Sequence, residues 1–164
     1  LAANAQLLSF AFDITSDAIS EGDETLQVRL SSDSTTVSTG TITTTIADAS
    51  VPVIQLSGPI SVLEGRSASY SLSLAELGLC AGRSINLTLA AGGGTASQGL
   101  DYTALQPGDL VAANGISLSG LSVDAAGAIT LTATNTSGSD LQPSAPLLSF
   151  NLQTLSDKIG RAHV

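Results

Sequence analysis

The sequence predicts an all-β protein built as an antiparallel β-sandwich. Along its 164 residues, apolar and polar side chains alternate in short stretches, and clusters of Gly, Asn, Asp, Ser and Pro separate those stretches. The composition is 43% hydrophobic but only 3% aromatic, so a core must be packed with Leu, Ile, Val and Ala. No stretch keeps a helical period, although residues 73–79 form one short helical candidate that ends at Gly78.

The predicted strands divide into two groups along the chain. Since successive side chains of a strand point to opposite faces, each alternating set places its apolar members on one face. The first group covers residues 8–14, 25–30 and 41–46, and the second covers 68–74, 85–89, 129–133 and 148–152. Residues 106–124 contain three turn signals and predict an insertion with an extra hairpin over 116–123.

An internal repeat connects the two groups. Residues 7–17 (LLSFAFDITSD) and 147–157 (LLSFNLQTLSD) are identical at six of eleven positions, at an offset of 140. In the first copy an acidic loop follows at once, and we expect a second acidic loop after the second copy in the parent protein.

The last residues differ in character from the rest. Residues 159–164 (IGRAHV) resemble one reading frame of a sequencing-library adapter, so 158–164 are predicted to be an artefact. The only histidine, His163, falls in this tail and is therefore a poor candidate for catalysis or metal binding. The remaining chain has three arginines against fourteen acids.

Charge and cysteine content exclude several classes of function. The formal net charge is −9 and no Lys/Arg cluster is present, which excludes nucleic-acid binding by phosphate neutralisation. No apolar run is long enough for a transmembrane helix, so no direct membrane insertion of this segment is expected. The single cysteine, Cys80, cannot form an intrachain disulfide and is expected to be a small, buried or half-buried residue. An acidic surface is typical of secreted proteins and cation binders, and also simply favours solubility.

The acidic loop is the best candidate for a binding site. Residues 16–24 (SDAISEGDE) contain the four carboxylates of Asp17, Glu21, Asp23 and Glu24 between two predicted strands. Carboxylates this close repel one another unless a cation lies among them, and Ca²⁺ takes six to eight oxygen ligands. The alternative is an acidic turn that is simply solvated.

Two pairs of motifs resemble the Calx-β repeat family. Residues 21–30 (EGDETLQVRL) with 40–48 (GTITTTIAD) resemble the C-terminal half of one repeat. Residues 61–65 (SVLEG) with 94–102 (GTASQGLDY) resemble the N-terminal half of the next. The resemblance covers most of residues 7–157 apart from 106–124. It implies that 1–50 belong to a first repeat and 51–157 to a second.

The resemblance also implies a fold and a ligand set. The fold is an immunoglobulin-like sandwich that binds Ca²⁺ at one end, formed here either as partial tandem repeats or as one circularly permuted sandwich. The implied ligands are Asp17 and Glu21 in the first repeat, Asp48 at the junction, and Glu64, Asp101 and Asp157 in the second. This chain has fewer carboxylates than the calcium-sensing members, which implies weak binding, near the ~10⁻⁴–10⁻³ M of extracellular modules.

Three functions follow from these features. The first is a non-catalytic structural or adhesive repeat of a large extracellular or cell-surface protein, whose partners are neighbouring repeats of the same chain and cell-surface or matrix ligands. The second is a regulatory Ca²⁺ sensor in a membrane-associated protein. The third is a carbohydrate-active module using the carboxylates of Glu64 and Asp101, which the scarcity of aromatic residues disfavours. No nucleophile elbow, phosphate loop or zinc spacing is present, so the sequence does not predict an enzyme.

Overall fold

The computed structural model describes residues 9–48 and 51–156 and confirms an all-β fold with antiparallel sheets. One short 3-10 turn covers Pro107–Asp109. No helix in the described part of the chain has the length and hydropathy needed to cross a membrane. The strands are β1 (Ile19–Ser20), β2 (Glu24–Arg29), β3 (Thr41–Ile46), β4 (Ile54–Ser57), β5 (Ser67–Leu74), β6 (Gly78–Leu79), β7 (Ser84–Leu89), β8 (Leu110–Ala112), β9 (Ile116–Val123), β10 (Ile129–Asn135) and β11 (Pro146–Gln153).

Two sheets from the second part of the chain form the sandwich. One has the strand order β4-β5-β11-β8 and the other β7-β10-β9, and all these pairings are antiparallel. Their alternating apolar side chains point between the sheets, as the sequence predicts, and burial of this surface is the main stabilising contribution. The most deeply buried side chains of the core are Ala68, Leu72, Leu74, Leu79, Ile129, Leu131, Ala133, Leu147 and Leu148.

Strand β11 lies in the interior of its sheet. It pairs with β5 on one side and with β8 on the other. The Phe150 ring stacks on Tyr70 of β5 with centroids 5.2 Å apart, and the Ser69 hydroxyl donates to the Asn151 side chain at 2.6 Å. These cross-strand contacts fix the register of the central pair.

The N-terminal segment stays outside the two sheets. Strands β2 and β3 pair only with each other in the described residues, and we call this hairpin the β2–β3 ribbon. The two-residue strand β1 attaches the segment to the sandwich by pairing parallel to β6. In the described residues the β2–β3 ribbon therefore adds no strand to the two sheets of the sandwich, and the division of the chain into partial repeats stays a prediction.

The two copies of the repeat adopt different structures. The second copy forms β11, as predicted. The prediction of a strand over 8–14 is wrong, because residues 9–14 have no strand neighbour. Phe10 is 63% exposed and Phe12 is 60% exposed, and their rings contact each other edge to face at 5.5 Å. The alternation of apolar residues is the same in both copies, but a strand also needs a partner for its backbone hydrogen bonds.

Two further local predictions are wrong. Residues 116–123 form the single strand β9 instead of a separate hairpin, and Ile116 is buried in the core. Residues 73–79 are not helical, because β5 continues to Leu74 and Gly78 begins β6. Gly78 lies so close to the Leu141 carbonyl that a β-carbon there would clash with it. Whether 106–124 are an insertion relative to a family stays a prediction, and residues 157–164 lie outside the described part.

Candidate metal site

Pairing of β1 with β6 brings the acidic loop to one end of the sandwich. The Gly78 N–H donates to the Ala18 carbonyl at 2.7 Å, and the Cys80 N–H donates to the Ser20 carbonyl at 3.2 Å. Backbone hydrogen bonds thus extend the short parallel pair to Cys80. The carboxylates that follow Ser20 therefore lie beside the turn that follows β6.

A buried asparagine holds a second loop at the same end. The Asn135 side chain is fully buried, and its amide donates to the carbonyls of Leu79 at 3.0 Å and Ser139 at 2.8 Å. Its carbonyl accepts from the backbone N–H and hydroxyl of Ser137. Since every polar group of this amide is satisfied, the loop after β10 is fixed against β6. This fixed loop carries Asp140.

Three carboxylates of the N-terminal segment accept hydrogen bonds from backbone N–H groups of the same segment. Asp48 Oδ2 accepts from the N–H groups of Glu21 at 2.9 Å and Gly22 at 2.8 Å, and from the Ser20 hydroxyl at 3.3 Å. Asp23 Oδ1 accepts from the Asp48 N–H at 3.0 Å, and Asp17 Oδ1 accepts from the Ile19 N–H at 2.8 Å. The Asp17 bond is the short-range bonding that is typical of Asp in turns, whereas the Asp48 and Asp23 bonds join the end of β3 to the acidic loop.

Glu21 extends from the loop toward the sandwich. Ligand atoms of Glu21, Cys80 and Asp140 all lie within 4.8 Å of one another. Asp140 is itself held in place, because its Oδ1 accepts from the Ala81 N–H at 2.9 Å. The site thus takes one carboxylate from the N-terminal segment and one from the sandwich.

The electrostatics of this cluster favour the protonated forms of Glu21 and Cys80. The neighbouring charge of Asp17 is the largest cause that raises the pKa of Glu21 above its ordinary 4.5, and partial desolvation, Glu24, Asp140 and Asp48 raise it further. A hydrogen bond to Asp140 is the largest cause that raises the pKa of the Cys80 thiol, helped by desolvation and the charges of Asp140 and Glu21. Negative charge is therefore in excess here, and a cation would relieve it.

One cationic side chain already contacts the loop. A β-carbon built on Gly22 would lie 2.6 Å from Nη1 of Arg83, so the guanidinium packs directly over this glycine. Gly22 also has φ +85°, a conformation that favours glycine. Arg83 therefore places one positive charge beside the acidic loop, and the pKa of Glu21 is raised all the same.

The oxygen atoms of this site can bind a hard cation, but with low affinity. Asp17, Glu21, Glu24 and Asp48 line an open cleft of about 190 Å³, where water can complete a coordination shell. Carboxylate and water oxygens are the ligands of Ca²⁺, whereas a thiol kept protonated by Asp140 is a poor ligand. The described residues thus offer few charged oxygens per ion, which fits low affinity.

The remaining predicted ligands lie at the opposite end of the sandwich. Asp101 accepts from the Ser97 N–H at 2.6 Å through its side chain and from the Leu155 N–H at 2.8 Å through its carbonyl. A β-carbon on Gly65, next to Glu64, would lie 3.4 Å from Cβ of Ser156. The loops of Glu64 and Asp101 therefore both meet the chain just after β11. Asp157, the third predicted ligand there, lies outside the described residues.

The sequence-predicted ligands are thus split between the two ends. Asp17, Glu21 and Asp48 gather near β6, and Glu64 and Asp101 lie where β11 ends. Sequence reasoning missed Asp140, because an aspartate in a Ser/Gly-rich loop gives no signal until a fold places it opposite Glu21. Cys80 was expected to be buried or half-buried and is half-buried, but its position in the cluster was not predicted.

No protein-family model, curated protein or solved structure matches this chain. The resemblance to the Calx-β repeat family therefore stays a prediction that rests on the quoted motifs.

Proposed function

We propose that this chain is a non-catalytic structural and adhesive β-sandwich repeat of a large extracellular or cell-surface protein, in which Ca²⁺ joins the N-terminal segment to the sandwich. The observation that carries the proposal is the juxtaposition of Glu21 with Asp140. One carboxylate belongs to each part of the chain, so an ion held between them would stabilise the junction itself.

The weakness of the other contacts at this junction supports a structural role for the ion. The parallel pairing of β1 with β6 covers only two residues of each strand. The β2–β3 ribbon has no strand partner of its own in the sandwich. An ion bound by both parts would restrict their relative motion, because it stabilises only the state in which the two carboxylates meet.

A Ca²⁺ titration of the full chain tests the proposal. We expect the melting temperature to rise with millimolar Ca²⁺, to rise less with Mg²⁺ at the same ionic strength, and to return to its starting value on chelation. Since Mg²⁺ needs a more regular octahedral shell, an open cleft with few fixed oxygens discriminates against it.

Matched variants locate the ion. Asp140→Asn should abolish the Ca²⁺-dependent rise in melting temperature, whereas Asp33→Asn, which removes an exposed carboxylate from the far loop of the ribbon, should leave it intact. A rise that survives Asp140→Asn places the ion elsewhere, and no rise in any variant overturns Ca²⁺ binding by this chain.

A further inference from the structure

Residues 9–14 carry exposed aromatic side chains that nothing in the described part of the chain covers as a strand partner. These residues have no strand neighbour, and Phe10 and Phe12 are 63% and 60% exposed. Two large apolar rings on a segment without a strand partner are typical of a surface that binds another element.

The structure also contains a site that accepts almost the same sequence. Strand β11, the second copy of the repeat, lies between β5 and β8, and we call this position the β11 site. The buried side chains of β11 are Leu147, Leu148 and Phe150. Residues 7–10 and 147–150 have the same sequence, LLSF, so every buried side chain of β11 is identical in the first copy.

The first differences between the two copies fall on the solvent face of β11. Asn151 and Gln153 are exposed, and the first copy has Ala11 and Asp13 at these positions. Small and charged residues are both accepted on the solvated face of an antiparallel sheet. These two replacements therefore do not oppose binding of the first copy in the β11 site.

A third difference matches unfilled space beside the β11 site. Leu152 is half-buried and lines an open cleft of about 300 Å³, together with Leu56, Tyr70, Tyr102 and Phe150. The first copy has Phe12 at the equivalent position. A phenylalanine ring is larger than a leucine side chain by much less than this volume, so it would enter the cleft and contact the aromatic rings there.

The fourth difference explains why β11 keeps the site in its own sandwich. The Thr154 hydroxyl, just after β11, accepts from the Arg66 N–H at 3.0 Å and donates to the Arg66 carbonyl at 2.6 Å. Ile14, at the equivalent position of the first copy, forms neither hydrogen bond. Residues 9–14 therefore need a sandwich whose β11 site is not already filled.

From these observations we infer that residues 9–14 bind as a strand in the β11 site of a second sandwich of this kind. Their direction follows from β11 itself, which is antiparallel to both β5 and β8, and Phe10 takes the position in which Phe150 stacks on Tyr70. An open strand edge offers only backbone groups, whereas the β11 site also matches each buried side chain. Exchange of an equivalent element between units is a low-cost route to association.

This inference rests on the proposed repeat architecture and names the contact by which one repeat binds another. It does not depend on Ca²⁺, because neither Glu21 nor Asp140 lies in the β11 site. The experiments below are therefore done with a chelator present, and their failure would leave the Ca²⁺ titration unaffected.

A hybrid full chain tests whether the first copy fits the β11 site. It carries four substitutions that give residues 147–154 the sequence of residues 7–14: Asn151→Ala, Leu152→Phe, Gln153→Asp and Thr154→Ile. We expect one cooperative melt, lowered by about 5–15 °C because the hydrogen bonds of Thr154 are lost. The matched control adds Phe150→Asp and should lose the cooperative transition, since it buries an unpaired charge. A hybrid that melts like this control would overturn the inference.

Peptide binding tests the contact between separate molecules. The acceptor is the full chain with Phe10→Asp and Phe150→Asp, which disables both of its own copies. A labelled peptide of residues 7–17 should bind this acceptor with a Kd of about 1–100 µM, measured by fluorescence anisotropy. The unmodified chain has the same open strand edges but a filled β11 site, so it should bind the peptide at least about tenfold more weakly. No binding to the acceptor, equal binding to the unmodified chain, or equal binding of a Phe10→Asp peptide would each contradict the inference.

Discussion

The carboxylate of Asp48 accepts a 2.8 Å hydrogen bond from the backbone N–H of Gly22, which lies 26 residues earlier in the chain. This contact joins the end of β3 to the acidic loop before β2, so the base of the ribbon is closed. It also means that one of the predicted metal ligands contributes to the shape of the loop. The charge of Asp48 still raises the pKa of Glu21, but less than the charge of Asp17 does.

Glu21→Gln should stabilise the fold at neutral pH when no divalent ion is present. The folded-state pKa of Glu21 lies above its ordinary 4.5, so the folded chain holds this proton more tightly than the unfolded chain. The stabilising effect of protonation is therefore complete below pH 4.5 and is lost as the pH rises through the folded-state pKa. Urea unfolding of both proteins from pH 4 to pH 8 measures the difference, which should vanish at the acid end. A variant less stable than the parent at pH 7 would contradict this.

Cys80 should need a higher pH than an ordinary thiol to react fast with thiol reagents. Its hydrogen bond to Asp140 stabilises the protonated thiol and raises its pKa, and only the thiolate is the nucleophile. Asp140→Asn removes the acceptor charge, so the alkylation rate of Cys80 should reach its plateau at lower pH. The pH profile of iodoacetamide alkylation, followed by mass spectrometry, checks this. Identical profiles for the two proteins would show that Asp140 does not control the thiol.

The two phenylalanines at equivalent positions of the repeat should contribute very different amounts to the free energy of unfolding. Phe150→Ala removes a buried ring that stacks on Tyr70, and should cost about 3–5 kcal/mol of unfolding free energy. Phe10→Ala removes an exposed ring and should change stability by no more than about 0.5 kcal/mol. Chemical denaturation at low protein concentration measures both. A large loss with Phe10→Ala would mean that residues 9–14 are packed in solution.

Gly22→Ala should destabilise the junction more than the same change at Gly93. Both glycines have positive φ near +80°, so an alanine costs about 1–2 kcal/mol of strain at either position. Only at Gly22 would the new β-carbon also meet the Arg83 guanidinium, whereas nothing lies within 4 Å of one at Gly93. Thermal melts of the two variants measure the difference. Equal losses would show that Arg83 moves aside freely.

Much of the sandwich is readable from the sequence, because its strands bury one face against a single core. The alternations over 68–74, 85–89 and 129–133 correspond to β5, β7 and β10, and their apolar members are buried or half-buried. The same rule fails at residues 9–14, whose pattern is as regular as that of β11. Periodicity reports which face of a segment is apolar, but it does not report whether another strand lies beside it.

Only half of the candidate site could be predicted from the sequence. The crowded acids at 17–24 follow from composition alone, since neighbours in a short loop are always close in space. The second carboxylate of the cluster, Asp140, is more than a hundred residues away and meets Glu21 only because Asn135 fixes its loop against Leu79. No local pattern encodes such a contact.

The sequence by itself determined that this chain is an acidic, all-β protein with a repeated strand and a carboxylate-rich loop, because these are properties of short segments. Only the tertiary structure decided where that loop lies. Pairing of β1 with β6 places it at the Cys80 end of the sandwich, away from Glu64 and Asp101, and leaves the ribbon without a partner sheet. Hydrogen bonds between distant strands set these positions, and each depends on the packing of the whole chain.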